Sequence, residues 1–289
     1  MNKFKGNGSG WLILPFLLLL TLFWLIPLFQ GLIMSFQPDF PKNGESYSLF
    51  HNYSKIIEDK SFYKALKNNL IYTLSVICVI VPVSLFFSFI LTSISSARLR
   101  YFYLFCMLLP GLIPPSVMGI LFNLTFNGRT GVLNQIFVIP LGFRPIEWLK
   151  DPHFIMPALV IQAVWRWTGF ITLFFLCGME AIPKSTKEAA VMDGSGPVKS
   201  FLFIEIPCIK HIILFCTAFL IVDTLSLFSG SYSLLGNSGG TANAGLVMAN
   251  YSYMFTSFRQ FNVASTVCIL VLPFLMLLTT IVCYRRKMT

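Results

Sequence analysis

The sequence predicts an all-α, polytopic membrane protein with six transmembrane helices. Three observations carry this. Of 289 residues, 56% are hydrophobic and 11% charged, against about 45–50% apolar and about 25% charged in an ordinary soluble domain. Mean hydropathy is +0.75. Six long apolar runs are spaced along the chain, and a basic cluster follows the last. A soluble globular domain, a disordered chain and a disulfide scaffold are excluded, because too few polar groups exist to cover a water-facing surface.

The runs are Trp11–Phe36, Asn69–Thr92, Tyr101–Phe126, Phe154–Gly178, Cys208–Ser229 and Phe261–Tyr284. A helix rises about 1.5 Å per residue, so ~20 residues cross a ~30 Å hydrocarbon core. In lipid every backbone polar group needs a partner, which makes the runs helices. A barrel would show ~10-residue alternating segments. The first run follows Lys3 and Lys5. It is longer than a signal-peptide core and lacks a small-x-small cleavage site, so it reads as a retained span. Pro15, Pro27, Pro82, Pro110, Pro114, Pro115 and Pro273 are expected to kink spans, and full breaks are tolerated where they line a cavity.

Between the runs, Ile56, Ile57, Phe62, Tyr63 and Leu66 recur at helical spacing among charges. They predict an amphipathic helix along the outer membrane face within residues 37–68. Ser229–Gln260 is rich in Gly, Ser and Asn, which predicts irregular backbone. Its Tyr251, Tyr253 and Phe255 suit a membrane interface. The seven cysteines lie in or beside apolar runs without C-x-x-C spacing, so they read as buried small hydrophobes, with no disulfide or metal site expected. The chain reads as a single membrane domain over residues 11–284, with tails at 1–10 and 285–289.

Lysine and arginine set the orientation. With the N-terminus inside, the inner side carries Lys3, Lys5, Arg98, Arg100, Lys184, Lys187, Lys199, Lys210 and Arg285-Arg286-Lys287. The outer loops carry nearly as many basic residues but are longer and hold Asp39, Glu45, Glu58, Asp59, Glu147 and Asp151. The basic cluster directly after the last run is the firmest marker. Six spans then place both termini in the cytoplasm. The net charge of +10 follows from this bias. Nucleic acid is not an expected partner, since no basic stripe interleaves with exposed aromatics.

The most structured polar stretch lies between the fourth and fifth runs, within 181–207. Pro183 suits a first helical turn, and Ser185 with Glu188 has capping-box spacing. Ala189 and Ala190 favour helix, and Gly194 falls where a left-handed residue ends one. Ser195 and Pro197 can start another. A short helix, a tight turn and a second short helix outside the membrane are expected. Such a small-sided helix suits docking in a partner's groove; the alternative is a plain connector.

Glu188-Ala189-Ala190, three residues, Gly194, nine residues, then Ile204-x-Ile206-Pro207 resembles the EAA loop of binding-protein-dependent ABC importer permeases. One conservative departure, Ile206 for Leu, separates the two. Phe50-His51-Asn52-Tyr53, Leu109-Pro110, Phe126-Asn127-Gly128 and Gly131-Val132-Leu133-Asn134 are similar to the carbohydrate-uptake branch, related to maltose and glycerol-phosphate permeases. Asn237-Ser238-Gly239-Gly240-Thr241 departs from the family's G-G-P. The resemblance implies a type I importer permease fold with a cytoplasmic coupling helix, in the bacterial plasma (inner) membrane. It implies a second permease subunit, two ABC ATPase subunits, an extracellular or periplasmic solute-binding protein and a sugar substrate. Glu188, Ala189, Ala190, Asp193 and Gly194 would couple to the ATPases. The chain itself lacks G-x-x-x-x-G-K-[ST], so ATP and Mg are expected on the partners and no cofactor or catalysis here.

Charges inside spans mark function. Two stand out, Arg166 in Trp165-Arg166-Trp167 and Asp223. Matched to the family, Arg166, Trp167, Phe170, Asp223 and Gly111 fall at positions facing the sugar cavity, as does Pro115. Arg166 would also suit a carboxylate or phosphate, which keeps a glycerol phosphate or an acidic saccharide as an alternative. An equal alternative is that Arg166 and Asp223 neutralise each other between helices. Trp165 and Trp167 cannot share one helix face. A secondary transporter would show inverted repeats and no docking loop. A membrane enzyme would need a cluster of acid, base, nucleophile or metal ligands, and none is evident.

Overall fold

The computed structural model describes residues 10–39 and 49–284. Lys3, Lys5, Lys42, Glu45 and Arg285-Arg286-Lys287 lie outside the described residues. The helices are α1 (Gly10–Leu20), α2 (Ile26–Ser35), α3 (His51–Glu58), α4 (Lys60–Thr92), α5 (Ala97–Leu112), α6 (Pro115–Thr125) and α7 (Pro152–Glu180). There follow α8 (Lys184–Met192), α9 (Pro197–Ser200), α10 (Ile206–Cys208), α11 (Lys210–Leu225), α12 (Ser229–Leu235), α13 (Met248–Ser257) and α14 (Phe261–Tyr284). Among the described residues there is no strand. Ile13–Ser35, Lys60–Thr92 and Pro152–Glu180 are each long and apolar enough to cross a membrane alone.

Three π turns interrupt the helical path, at Thr21–Leu25, Asn134–Val138 and Phe201–Glu205. Each closes with an Ile N–H reaching five residues back: Ile26 to Thr21, Ile139 to Asn134, Ile206 to Phe201. Each such Ile precedes a proline, Pro27, Pro140 or Pro207. A proline ring removes one N–H and collides with the carbonyl four residues back, and widening the turn by one residue relieves both.

Prolines also break the third run. It is not the single span expected over Tyr101–Phe126: Ala97–Leu112 and Val117–Thr125 meet at 103°. Ile113 precedes Pro114, which pushes it extended (φ −72°, ψ 129°), and Pro114 is extended in turn (φ −57°, ψ 141°) before Pro115 opens α6. A second bend, of 70° between Pro197–Cys208 and Lys210–Leu225, falls at the start of the fifth run. The single outer-face helix does not form either. Asp59 turns extended (φ −78°, ψ 118°) and ends α3. Phe62, Tyr63 and Leu66 belong to the first turns of α4, whose 33 residues reach ~50 Å, well beyond the hydrocarbon core.

The described residues fall in two compact units, one from Met1–Lys60 with Ser252–Leu272, the other from Ser61–Tyr251 with Pro273–Thr289. In the first, Ser35 is a polar junction. Its carbonyl accepts from Asn52 (3.1 Å) and Thr266 (3.1 Å). Asp39 caps the start of α14, accepting from the Asn262 and Val263 N–H groups at 2.6 and 3.0 Å. A carboxylate there satisfies orphan donors and complements the helix dipole.

The second unit is built around α7. Its N-terminus is capped by Asp151, which accepts from the His153 N–H. That bond, then the His153 ring, holds the Asp151 carboxyl below its usual range. The core gathers Val76 and Ile80 of α4, Met118 and Phe122 of α6, Ile171 and Phe175 of α7 and Leu220 of α11. Where α5 crosses α7, Gly169 lies against the Met107 backbone, and a Cβ there would collide with the Met107 carbonyl. Small residues permit such backbone approach between membrane helices. Gly169→Val is therefore expected to cost about 3 kcal/mol or more. The loss would be read as a lower unfolding temperature in detergent and a smaller membrane-inserted fraction.

The segment after α6 is pinned by one side chain. Asn134 donates to the carbonyls of Asn127 (3.3 Å), Gly128 (2.9 Å) and Ile146 (2.9 Å) and accepts from Ile146 N–H (3.2 Å) and Trp148 Nε1 (3.1 Å). Asn134→Ala should cost roughly 2–4 kcal/mol, because fully buried groups lose their partners. Limited proteolysis of residues 127–151 would register it as faster cleavage.

Ser229–Gln260 is only partly irregular. Its glycine centre is, with Gly236, Gly239 and Gly240 at φ +71°, +71° and +80°, but α12 and α13 flank it. Tyr251 is buried rather than interfacial. Five of the six described cysteines are exposed and only Cys216 is buried. The expectation of buried cysteines thus fails, because these residues sit on outward helix faces.

Candidate functional site: a charged cavity and a capped helix outside the spans

Between α4, α6, α7 and the end of α11 lies a cavity of about 230 Å³. Gln162, Ala163, Arg166 and Trp167 reach it from one face of α7, as positions four apart on a helix must. Tyr72 enters from α4, Pro115 and Met118 from the break before α6, and Asp223 from α11. The turn Ser226–Gly230 closes it. The break at Pro114-Pro115 is thus of the kind lipid tolerates, since its backbone lines a cavity.

Arg166 and Asp223 face this same space. Neither forms an ion pair within 4 Å with the other among the described residues. Instead the Trp167 indole N–H donates to Asp223, and the Arg166 guanidinium lies 5.0 Å over the Trp167 ring. The indole therefore touches both charged groups. Arg166 Nε is buried without a partner, as is the Gln162 amide nitrogen. Tyr72 lies within electrostatic reach of both charges.

Two of the residues expected at the cavity do not line it. Phe170 packs into an aromatic row with Trp167, Phe174 and Phe219, at 5.7, 5.1 and 5.5 Å. It shares the helix face of Arg166 and Trp167 but stands one turn further along α7, past the residues that line the cavity. Gly111 lies in α5, where an added Cβ would come 3.4 Å from the Arg166 carbonyl. It spaces helices and does not face the cavity. Trp165 points to the opposite side of α7 from Trp167 and packs edge-on against Phe122 at 5.4 Å. Sequence reading missed Tyr72 and Gln162. Gln162 sits one turn before Arg166, a signal that was present; a lone Tyr in an apolar run offers none.

The second feature is the turn after α7. The chain forms α8, a left-handed Gly194 at φ +74° and then α9, as the spacing predicts. Gly194 N–H bonds to Val191 O at 3.0 Å and Ser195 N–H to Ala190 O at 2.9 Å. This crossed pair is a Schellman cap, which requires the left-handed residue. The capping box does not form. Pro183 stands at the N-cap with no side-chain bond, so Ser185 falls inside the first turn, and Pro197 rather than Ser195 begins α9. Ala190 is buried, while Glu188, Ala189, Asp193 and Gly194 are exposed. Met192 is 87% exposed. Lys187 bridges to Glu205 at 3.5 Å, tying α8 to the π turn before Pro207. Arg100 bridges to Glu180 at 2.9 Å at the root of the same end.

An all-helical membrane body with a polar cavity at a broken helix, and a rigid capped helix standing off one end, defines a transport subunit driven from outside itself. The comparisons agree. The model of the family "Binding-protein-dependent transport system inner membrane component" matches residues 61–285, and the chain belongs to this family. It is a permease subunit of an ABC importer.

Among its relatives is the arabinooligosaccharides transport system permease protein AraP of Bacillus subtilis (strain 168), 34% identical over 83% of this chain and 75% of that protein. The lactose transport system permease protein LacF of Rhizobium radiobacter is 31% identical over 96% of this chain and 94% of that protein. The trehalose/maltose transport system permease protein MalF of Thermococcus litoralis is 26% identical over 98% and 95%. A chain of a bacterial alginate ABC transporter, solved in complex with an alginate pentasaccharide-bound periplasmic protein, shares the fold. Its TM-score is 0.82 at 18% identity, over 94% of this chain and 91% of that one.

Proposed function

We propose that this chain is one of two membrane permeases of a bacterial importer for a sugar or oligosaccharide. It would span the plasma membrane six times with both termini in the cytoplasm, residues 11–284 forming the permease and 1–10 and 285–289 the tails. The observation that carries the reading is the cavity holding Arg166, Trp167 and Asp223 inside an apolar helical body. The names of three relatives, for arabinooligosaccharides, lactose and trehalose/maltose, support a saccharide. An indole face stacks on the apolar face of a sugar ring, and the charged groups bond its hydroxyls.

A solute-binding protein would deliver the sugar from outside. Two ATPase subunits, which hold ATP and Mg, would grip the helix carrying Glu188, Ala189, Ala190, Asp193 and Gly194. Their closure on ATP carries α8 as a lever. The spans then rock and expose the cavity to each side in turn. This chain performs no chemistry; it converts a partner's movement into access.

Arg166 favours a second reading, an acidic saccharide or a glycerol phosphate, because a guanidinium fork matches a carboxylate or phosphate. Uptake assays separate the two. A strain lacking this chain, with and without a plasmid copy, is offered labelled lactose, maltose, arabinotriose, an oligouronate and glycerol 3-phosphate. The first reading expects a neutral sugar to depend on the copy. Dependence of the oligouronate or glycerol phosphate alone would assign the second. No dependence for any of the five would contradict both.

A further inference from the structure

We infer that Gln162 is a specificity-determining residue that reads a hydroxyl of an uncharged sugar unit in the cavity. The inference rests on the saccharide reading above and extends it to a residue and to a charge class. Gln162 lines the cavity and is 5% exposed, and its amide nitrogen has no partner in the chain. Buried amides are almost always bonded, because leaving one unmet is costly. A second unmet donor, Arg166 Nε, stands one turn further along α7. Two unmet donors on one wall of a cavity call for oxygen on what fills it.

The surroundings favour a ligand over a packing role. Gly230 leaves room for the amide, since a Cβ there would stand 2.9 Å from Gln162 Oε1. A half-turn of the terminal torsion exchanges the amide's donor and acceptor ends at little cost. A hydroxyl answers either end, because it both donates and accepts, whereas a carboxylate only accepts.

Charge points the same way. Arg166 and Asp223 contribute one positive and one negative group to the same small space. A carboxylate on the cargo would be drawn by Arg166 and repelled by Asp223 together. Its desolvation would go uncompensated. A neutral polyol leaves the two charges balanced and bonds to both.

The test uses the whole transporter, this chain with its second permease, ATPases and binding protein, in proteoliposomes. The probes are lactose, maltose and arabinotriose, and the uronates made by oxidising their primary hydroxyls. Gln162→Leu removes the amide with little change of volume, and Gln162→Met removes it on an unbranched side chain of similar length. Both should raise the sugar concentration for half-maximal uptake roughly tenfold, the worth of one hydrogen bond, with the complex recovered in wild-type amount. The wild type should take up a neutral sugar and reject its uronate. Wild-type uptake by both variants would overturn the role of Gln162 and leave the importer reading standing. Equal uptake of a sugar and its uronate would overturn the charge class. A wild-type complex that assembles and hydrolyses ATP but moves none of these probes would overturn the saccharide reading and this inference together.

Discussion

Gly194→Val is expected to abolish uptake while the chain still reaches the membrane. The effect is conformational, since nothing lies within 4 Å of an added Cβ at this position. Gly194 holds φ +74°, a region that costs an L-residue about 1–2 kcal/mol, and a β-branched one more. To escape it, the turn must unwind. The Gly194 and Ser195 N–H groups then leave the carbonyls of Val191 and Ala190, and α8 loses its end. A frayed helix transmits no push from the ATPases to the spans. Gly194→Asn is the control, because Asn tolerates the left-handed region, and it should keep a large part of uptake. The measurement is initial uptake rate normalised to membrane-inserted protein. Normal uptake by Gly194→Val would sink the lever.

Removing one cavity charge gives the second large effect. Arg166→Met should lower uptake at least about a hundredfold, the worth of two charge-assisted bonds to cargo. It also leaves Asp223 without a counter-charge inside the bundle, so the amount of inserted chain falls. The double variant Arg166→Met, Asp223→Leu separates the two roles. Insertion recovers, because no lone charge remains. Uptake does not, because the hydroxyl partners are gone. Recovery of both would assign the pair to neutralisation between helices. That the two side chains form no ion pair within 4 Å, while the Trp167 indole N–H donates to Asp223, already argues against a simple ion pair.

Much of this molecule was legible in the sequence, and the reasons differ by region. Apolar runs over 20 residues long report helices without ambiguity, because lipid leaves the backbone no other partner. Where runs bend is harder to read. Pro82 sits inside α4 and Pro157 inside α7, yet Pro114-Pro115 breaks the chain outright. The difference is two adjacent missing N–H groups with a restricted residue before them. The π turns ahead of Pro27, Pro140 and Pro207 follow a rule of the same kind. The Gly194 turn was readable because only one residue type enters that region freely. The capping box was not, since a proline at the N-cap outcompeted a plausible Ser-Glu pair.

The cavity was half legible. Arg166 and Asp223 announce themselves by charge in apolar surroundings, and Trp167 by adjacency. Gln162 and Tyr72 carry no charge, and only the packing of α4 against α7 and α11 brings them to the same space. Phe170 and Gly111 show the converse. Position in a family motif put them near the cavity, but Phe170 lies one turn past its wall in an aromatic row and Gly111 lies against the α7 backbone.

On the proposed reading, this chain moves its cargo only when coupled to partner ATPases through the turn at Gly194. The decisive experiment is purification of the chain from native membranes in mild detergent, with mass spectrometry of what remains bound and reconstitution of the product. An ATPase and a second permease are expected in the bound fraction, with uptake that requires ATP. Recovery of the chain alone, with transport retained in vesicles that contain no ATPase, would contradict that reading and describe a secondary carrier instead.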